Sequence, residues 1–176
     1  MQEETVTDIG TRLRDVLHAD NGQPSSNDQA RIFDRFVGTW DCGYVHFGDD
    51  GSVKERYRGH VTFGWILDGQ ALQDVWTGDT GDGRGERQVG TSVRFFDPTA
   101  ERWTVVWILP EASAVVVVSG GSVDGRIVLE GESPDGSSRR WSFNDIRESS
   151  FIWRGERSTD GGRTWTLLAD YAMTRS

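Results

Sequence analysis

The sequence predicts an all-β domain, an antiparallel up-and-down barrel of about ten strands preceded by one or two short N-terminal helices. Three observations carry that reading. After residue 38 apolar residues alternate with polar ones, which is the period of a strand. Turn chemistry interrupts the alternation at short intervals. Glycine is abundant, 22 of 176 residues, as many tight turns require, and eight Trp and eight Phe supply core bulk to a chain only 35% hydrophobic.

The N-terminal part reads differently. Val6, Ile9, Leu13, Val16 and Leu17 form a helical stripe over residues 5–19, with Thr5 and Asp8 as N-terminal cap. Residues 20–26 have linker composition. Ser26 and Gln29 then form a capping-box pattern ahead of Ile32, Phe33, Phe36 and Val37, predicting a second helix that ends at Gly38.

From there the expected strands are 39–48, 53–67, 71–78, 88–96, 102–109, 113–119, 125–132, 138–147, 150–158 and 164–175. Asp49-Asp50-Gly51, Asp68-Gly69, Asp97-Pro98, Asp124-Gly125, Pro134-Asp135-Gly136 and Asp160-Gly161-Gly162 separate them, with a longer Gly/Asp loop at 78–86. Sequential strands joined by short turns pair with their neighbours, and closure removes the two exposed edges. A two-sheet sandwich accounts for the same strand count and stands as the alternative. The length suits one domain, divided into an extension (1–26) and a barrel (27–176).

Composition narrows the function. A net charge of −9 argues against nucleic acid, which needs a basic patch. The longest apolar run, 114–118, is strand-sized, so no membrane helix is expected. Cys42 is alone, which rules out an internal disulfide, and the acidic start lacks the signal-peptide pattern; a cytoplasmic protein is the expectation. The histidines, His18, His46 and His60, are scattered without metal-ligand spacing, so neither a metal nor another cofactor is expected. Gly81-x-Gly83-x-Gly85 lacks the following helix or Lys of a phosphate loop and reads instead as a flap over the barrel mouth.

Several motifs occur in a recognisable order. Phe36-Val37-Gly38-Thr39-Trp40 places G-x-W between a short helix and the first strand. Trp65-Ile66-Leu67-Asp68-Gly69 and Phe96-Asp97-Pro98 follow, then a hairpin from Ser158 to Trp165 and a terminal Thr174-Arg175. Over residues 30–176 this series resembles lipocalin-like (calycin) barrel proteins of bacteria. The resemblance implies that Arg175 packs over Trp40 and closes one end of the barrel. The 158–165 hairpin is also similar to the Asp-box of sialidases, and as a single copy it implies a local structural role for Asp160.

Alternation proposes the inward face. Trp40, Cys42, Tyr44 and His46 share one face, as do Val53, Glu55, Tyr57, Val61, Phe63 and Trp65. Leu72, Asp74 and Trp76 align; so do Trp103, Val105, Trp107 and Leu109; Trp141, Phe143 and Asp145; and Trp165, Leu167, Tyr171 and Met173. The phases of 88–96, 113–119 and 150–158 are ambiguous. Tyr44, Tyr57, Phe63, Trp65, Trp76, Trp107 and Tyr171 are therefore the expected ligand-binding residues, for a planar, mostly apolar small molecule. Cys42 reads as a small core thiol.

Two uses of such a lumen follow. One is binding of a hydrophobic or aromatic ligand. The other is catalysis in specialised metabolism (cyclase, isomerase, dehydratase or hydrolase), with Asp74 and Glu55 as carboxyl groups, one of them raised in pKa by apolar burial, and His46 as base. The stripe over 5–19 adds a possible homodimer contact.

Overall fold

The computed structural model describes residues 6–79 and 85–176. A helix, α1 (Val6–Leu17), leads into a two-residue strand, β1 (His18–Ala19), and then into a pair of 3-10 turns at Asp28–Arg31 and Asp34–Phe36. Ten strands follow: β2 (Gly38–Phe47), β3 (Val53–Ile66), β4 (Ala71–Asp79), β5 (Glu86–Asp97), β6 (Arg102–Leu109), β7 (Ala114–Val123), β8 (Arg126–Glu132), β9 (Ser138–Asn144), β10 (Ser150–Ser158) and β11 (Thr166–Arg175). Each pairs antiparallel with the next, and β11 returns to β2, Tyr171 opposite Tyr44. That last pairing closes the barrel and excludes the sandwich. Met1–Thr5 and the loop glycines Gly81 and Gly83 lie outside the described residues.

The second predicted helix does not form. Its place is taken by the two 3-10 turns, and the cap is Asn27, whose side chain accepts from the Gln29 amide at 2.9 Å. Residues three apart eclipse in a 3-10 turn, which lets Phe33 and Phe36 drop together into the barrel end, both fully buried. Gln29 serves the barrel instead: its carbonyl accepts from Trp103 Nε1 at 2.7 Å and its side chain from the Ser122 amide at 2.9 Å.

This aromatic plug fills one end. Phe33 meets Trp103 edge-on at 4.8 Å, Phe36 meets Phe151 at 4.8 Å, and Phe151 meets Trp40 at 4.8 Å. The Arg175 guanidinium lies 4.2 Å from the centre of the Trp40 ring and donates to the carbonyls of Arg35, Val37 and Glu148, so it ties the last strand to the segment before the first. Gly38 makes room for it: φ is +122°, and a Cβ there would stand 2.8 Å from the guanidinium.

Beyond the start of β2, where Gly38 faces Phe63, β1 takes its place along β3, His18 opposite Ile66 and Ala19 opposite Trp65. The chain beyond it covers Trp65 so closely that a Cβ on Gly22 would meet the indole at 2.6 Å. The apolar stripe of α1 stays outside, with Ile9, Leu13 and Val16 exposed. No described helix is long and apolar enough to cross a membrane.

Three bulges decide which side chains reach the lumen. One between His46 and Phe47 leaves Val53 exposed at the rim, against the alternation. A second sets the phase of β5, where Gly90 pairs with Trp76 but Gln88 with Thr77. A third sits in β11, where Ala169 faces Gly155 but Leu167 faces Glu156; Leu168 rather than Leu167 therefore lines the interior. Strand β9 stops at Asn144, and Asp145, expected to face inward, is an exposed turn residue with φ +48°.

The hairpin before β11 is held by Asp160, which accepts from the amides of Arg163 and Thr164 at 2.9 Å and from the Thr164 hydroxyl at 2.7 Å. Those bonds pull its carboxyl down to about 2. The neighbouring Trp165 carries Arg140 over its ring at 3.7 Å.

Arg175 is the clamp of the closed end, so Arg175→Ala is expected to cost about 2 kcal/mol through lost charge-assisted hydrogen bonds and stacking. Urea unfolding measures it, and an unchanged midpoint would mean that the plug holds without the clamp.

Candidate functional site

The other end of the barrel is hollow. A cavity of about 370 Å³ opens there. Its walls are mainly aromatic: Tyr44 from β2, Tyr57 from β3, Trp76 from β4, Trp107 from β6, Trp141 from β9, Trp153 from β10 and Tyr171 from β11. Phe143 and aliphatic side chains, among them Val89, Val105, Leu109, Val116, Leu129 and Leu168, supply the rest of the apolar lining. The rings brace one another. Tyr44 stacks on Tyr57 at 4.4 Å, Trp153 stacks on Tyr171 at 4.8 Å, and Trp76 meets Trp107 edge-on at 5.8 Å.

Polar groups on the β2–β3–β11 wall are few and neutral. Tyr44 donates to the Thr77 carbonyl at 3.0 Å. His46 Nε2 stands 2.7 Å from the Tyr171 hydroxyl and 3.5 Å from that of Tyr57. Burial lowers the His46 pKa, with the Glu55 charge opposing in part, so the imidazole is neutral at pH 7. The same desolvation raises Tyr57 to about 12, and Tyr44 and Tyr171 further. All three are therefore hydroxyls rather than phenolates at neutral pH. Burial likewise pushes the Cys42 thiol, packed in the core, up to about 12, far from a reactive thiolate.

Beneath the cavity lies a buried ion pair. Asp74 is wholly inaccessible and Arg94 is 2% exposed. Asp74 accepts from Trp76 Nε1 at 2.6 Å, from the Ser92 amide and hydroxyl at 3.0 Å each, and from Arg94 Nη2. The Arg94 guanidinium lies over Phe33 at 4.7 Å and Phe63 at 5.2 Å, while its Nε and Nη1 have no hydrogen-bond partner. Burial presses on the Arg94 charge, and the carboxylate in contact with it keeps it ionised.

The cavity thus gathers His46, Tyr44, Tyr57, Trp76, Trp107 and Tyr171. The remaining expected site residues stand elsewhere. Phe63 belongs to the plug, under Arg94. Trp65 is covered by the chain at Gly22. Glu55 is exposed at the rim, its backbone opposite His46. Asp74 pairs with Phe63, most of the length of β3 away from Glu55, so the two carboxylates do not meet. With its oxygens occupied by donors, Asp74 is placed to anchor rather than to exchange protons.

Arg94, Arg139, Arg157, Trp141 and Trp153 were not among the expected site residues. Phe151, Trp153, Gly155 and Arg157 alternate along β10, which would have revealed the last two of its lumen residues. Arg94 carries no such signal, because the inward face of β5 presents the polar Ser92 and Arg94 while Val93 and Phe95 lie on the other face.

Fold and site together define a closed barrel with one end plugged and the other opening on an aromatic cavity. No protein-family model matches the chain, and no curated protein matches it. Among solved structures, the S-type phycobiliprotein lyase CPES from Guillardia theta shares the fold, with a TM-score of 0.58 at 14% identity over 87% of this chain and 98% of that one. A protein of unknown function from the DUF3598 family, from Nostoc punctiforme, aligns over 88% of this chain and 100% of its own at 9% identity, with a TM-score of 0.29.

Removing one member of a buried ion pair strands the other. Asp74→Ala is expected to cost about 3–5 kcal/mol, and the double change Asp74→Leu with Arg94→Met to recover most of it. Equilibrium unfolding of the three proteins tests this. A double variant as unstable as the single one would show that the pair contributes through more than its charges.

Proposed function

We propose that this chain is a lipocalin-like small-molecule binder whose lumen takes a planar, mostly apolar molecule. The carrying observation is the cavity itself: about 370 Å³, open at one end and walled largely by aromatic side chains. Ligand sites are typically concave, largely apolar and furnished with a few placed polar groups. Here Tyr57, Tyr171 and His46 supply those groups, and the stacked rings are already in position, which spares the ordering entropy that a flexible site loses on binding. The likeness to a phycobiliprotein lyase supports a small molecule as cargo in this kind of barrel.

The neutral fluorophore 1-pyrenebutanol is expected to bind at one site and to quench the Trp emission. Val116→Trp, which fills the lumen from β7, is expected to weaken it roughly tenfold or more. A wild-type protein that does not bind the probe, or a filled lumen that binds it equally well, would refute the reading.

The 2.7 Å contact of Tyr171 with His46 favours a second reading, proton transfer on a bound substrate. The neutral imidazole can take the Tyr171 proton while the phenol oxygen removes one from a carbon acid. 5-Nitrobenzisoxazole reports on this: loss of its ring proton forms the nitrile, breaks the N–O bond and releases a nitrophenolate. Because burial lowers the His46 pKa, turnover should hold as pH falls through 6.5 and decline only below it. His46→Gln should abolish it. A wild-type rate no higher than buffer would leave only the binding reading.

A further inference from the structure

The cavity is electrically lopsided in a way that the binding of an uncharged molecule does not use. Arg139 on β9 and Arg157 on β10 stand directly opposite each other in the sheet, and both line the cavity. Like charges at directly opposed positions of adjacent strands repel, and an interior wall is a poor place for them.

Their hydrogen bonds leave capacity unused. Arg139 Nε and Nη2 donate to the Ser133 hydroxyl at 3.3 and 3.2 Å, a neutral acceptor, and among the described residues no carboxylate lies within ion-pair distance of it. Arg157 Nη2 donates to Asp49 at 2.6 Å, but Asp49 is largely exposed, and Arg157 Nε is buried without a partner among the described residues. Each guanidinium has five N–H donors in a planar fork suited to a carboxylate.

The acids around the pair do not fill this role. Asp135 acts on Arg139 and Arg157 only from a distance, and its Oδ1 accepts from the Ser137 amide and hydroxyl. Glu156 also lines the cavity, but its backbone position is opposite Arg140 rather than between the two arginines. Half-burial and the Arg157 charge both lower the Arg139 pKa, the direction expected where a counter-charge is wanting. On the adjoining wall the groups that reach the lumen, His46, Tyr57 and Tyr171, are neutral, and Glu55 is exposed at its rim.

We propose that Arg139 and Arg157 form an anion site at the open end of the cavity, which selects aromatic or polycyclic ligands bearing a carboxylate. The ring system lies among Trp76, Trp107 and Trp153, and the carboxylate sits between the two guanidinium groups. This rests on the lumen being the binding site, and the test separates the two.

The full chain is titrated with 1-pyrenebutyrate and with 1-pyrenebutanol, which share the ring and chain and differ in the head group. The carboxylate is expected to bind about tenfold more tightly, the scale of one charge-assisted hydrogen bond, with the preference shrinking as salt is raised. Arg139→Gln and Arg157→Gln should each reduce that preference and together remove it, and circular dichroism shows that the variants are folded. Arg157→Lys should retain part of it. Equal binding of the two probes by the wild type would overturn the anion site and leave the lumen reading standing, and this arm needs no variant. A preference that survives in the double variant would place the anion elsewhere and also overturn it. Failure of both probes to bind would overturn both readings.

Discussion

The Asp74–Arg94 pair divides this barrel into a solid half and a hollow one. Two charges that deep are tolerated only if their hydrogen-bonding and electrostatic needs are met locally. Asp74 meets its own through Trp76, Ser92 and Arg94, which tie β4 to β5 from inside. Arg94 meets part of its need with the faces of Phe33 and Phe63. The phenylalanines of the plug therefore act as more than filler: they are the medium in which the guanidinium is stable. Above the pair, the bond to Asp74 pins the Trp76 indole, and that ring becomes a fixed wall of the cavity. Plug, pair and wall form one continuous stack.

This division assigns the aromatic residues their separate tasks. Those nearest the closed end, Phe33, Phe36, Trp40, Phe63, Phe143 and Phe151, interlock at centroid distances of 4.8–6.3 Å and leave no room for a guest. Toward the open end the rings stand around a space instead of filling it. Residue type follows the division, with Phe dominating the plug and Trp and Tyr the cavity wall, and so does the presence of the N-terminal segment. Phe33 and Phe36 reach into one end of the barrel, and no described segment does the same at the other.

The motifs were legible for physical reasons, and so were the failures. Trp40 and Arg175 could be paired through the resemblance to lipocalin-like barrels, and the contact forms as that resemblance implies, beside a glycine with positive φ. Strict alternation placed Tyr44, His46, Tyr57, Trp76 and Trp107 correctly inside, since β2, β3, β4 and β6 keep their phase through those positions. Periodicity cannot say how far along the axis an inward residue lies. Phe63 and Trp65 were therefore grouped with the ligand residues although they lie in the plug and under the N-terminal chain. Nor can it register a bulge: a single extra residue exchanged Leu168 for Leu167. It also fails where the inward residues of a strand are polar, as Ser92 and Arg94 are in β5. The helix expected over 27–38 failed because an apolar spacing of three suits a 3-10 turn as well as a helix.

The arginines show most clearly why charge must be read by position. With eighteen Arg and one Lys in the chain, arginine count by itself distinguishes no site. Most of the resolved ion pairs lie at the surface, as Arg31 with Asp34 or Arg87 with Glu111, where such contacts contribute little to stability. Four differ because their surroundings do. Arg175 sits over a ring at the closed end, Arg94 has a buried carboxylate in mid-barrel, and Arg139 faces Arg157 at the open end. The first two find their counterpart within the chain. Of the other two, Arg157 reaches only the largely exposed Asp49 and Arg139 only a hydroxyl, and both border the empty volume. Two adjoining cations with so little carboxylate between them are costly for a closed, water-excluding core, but they suit a site completed by something from outside.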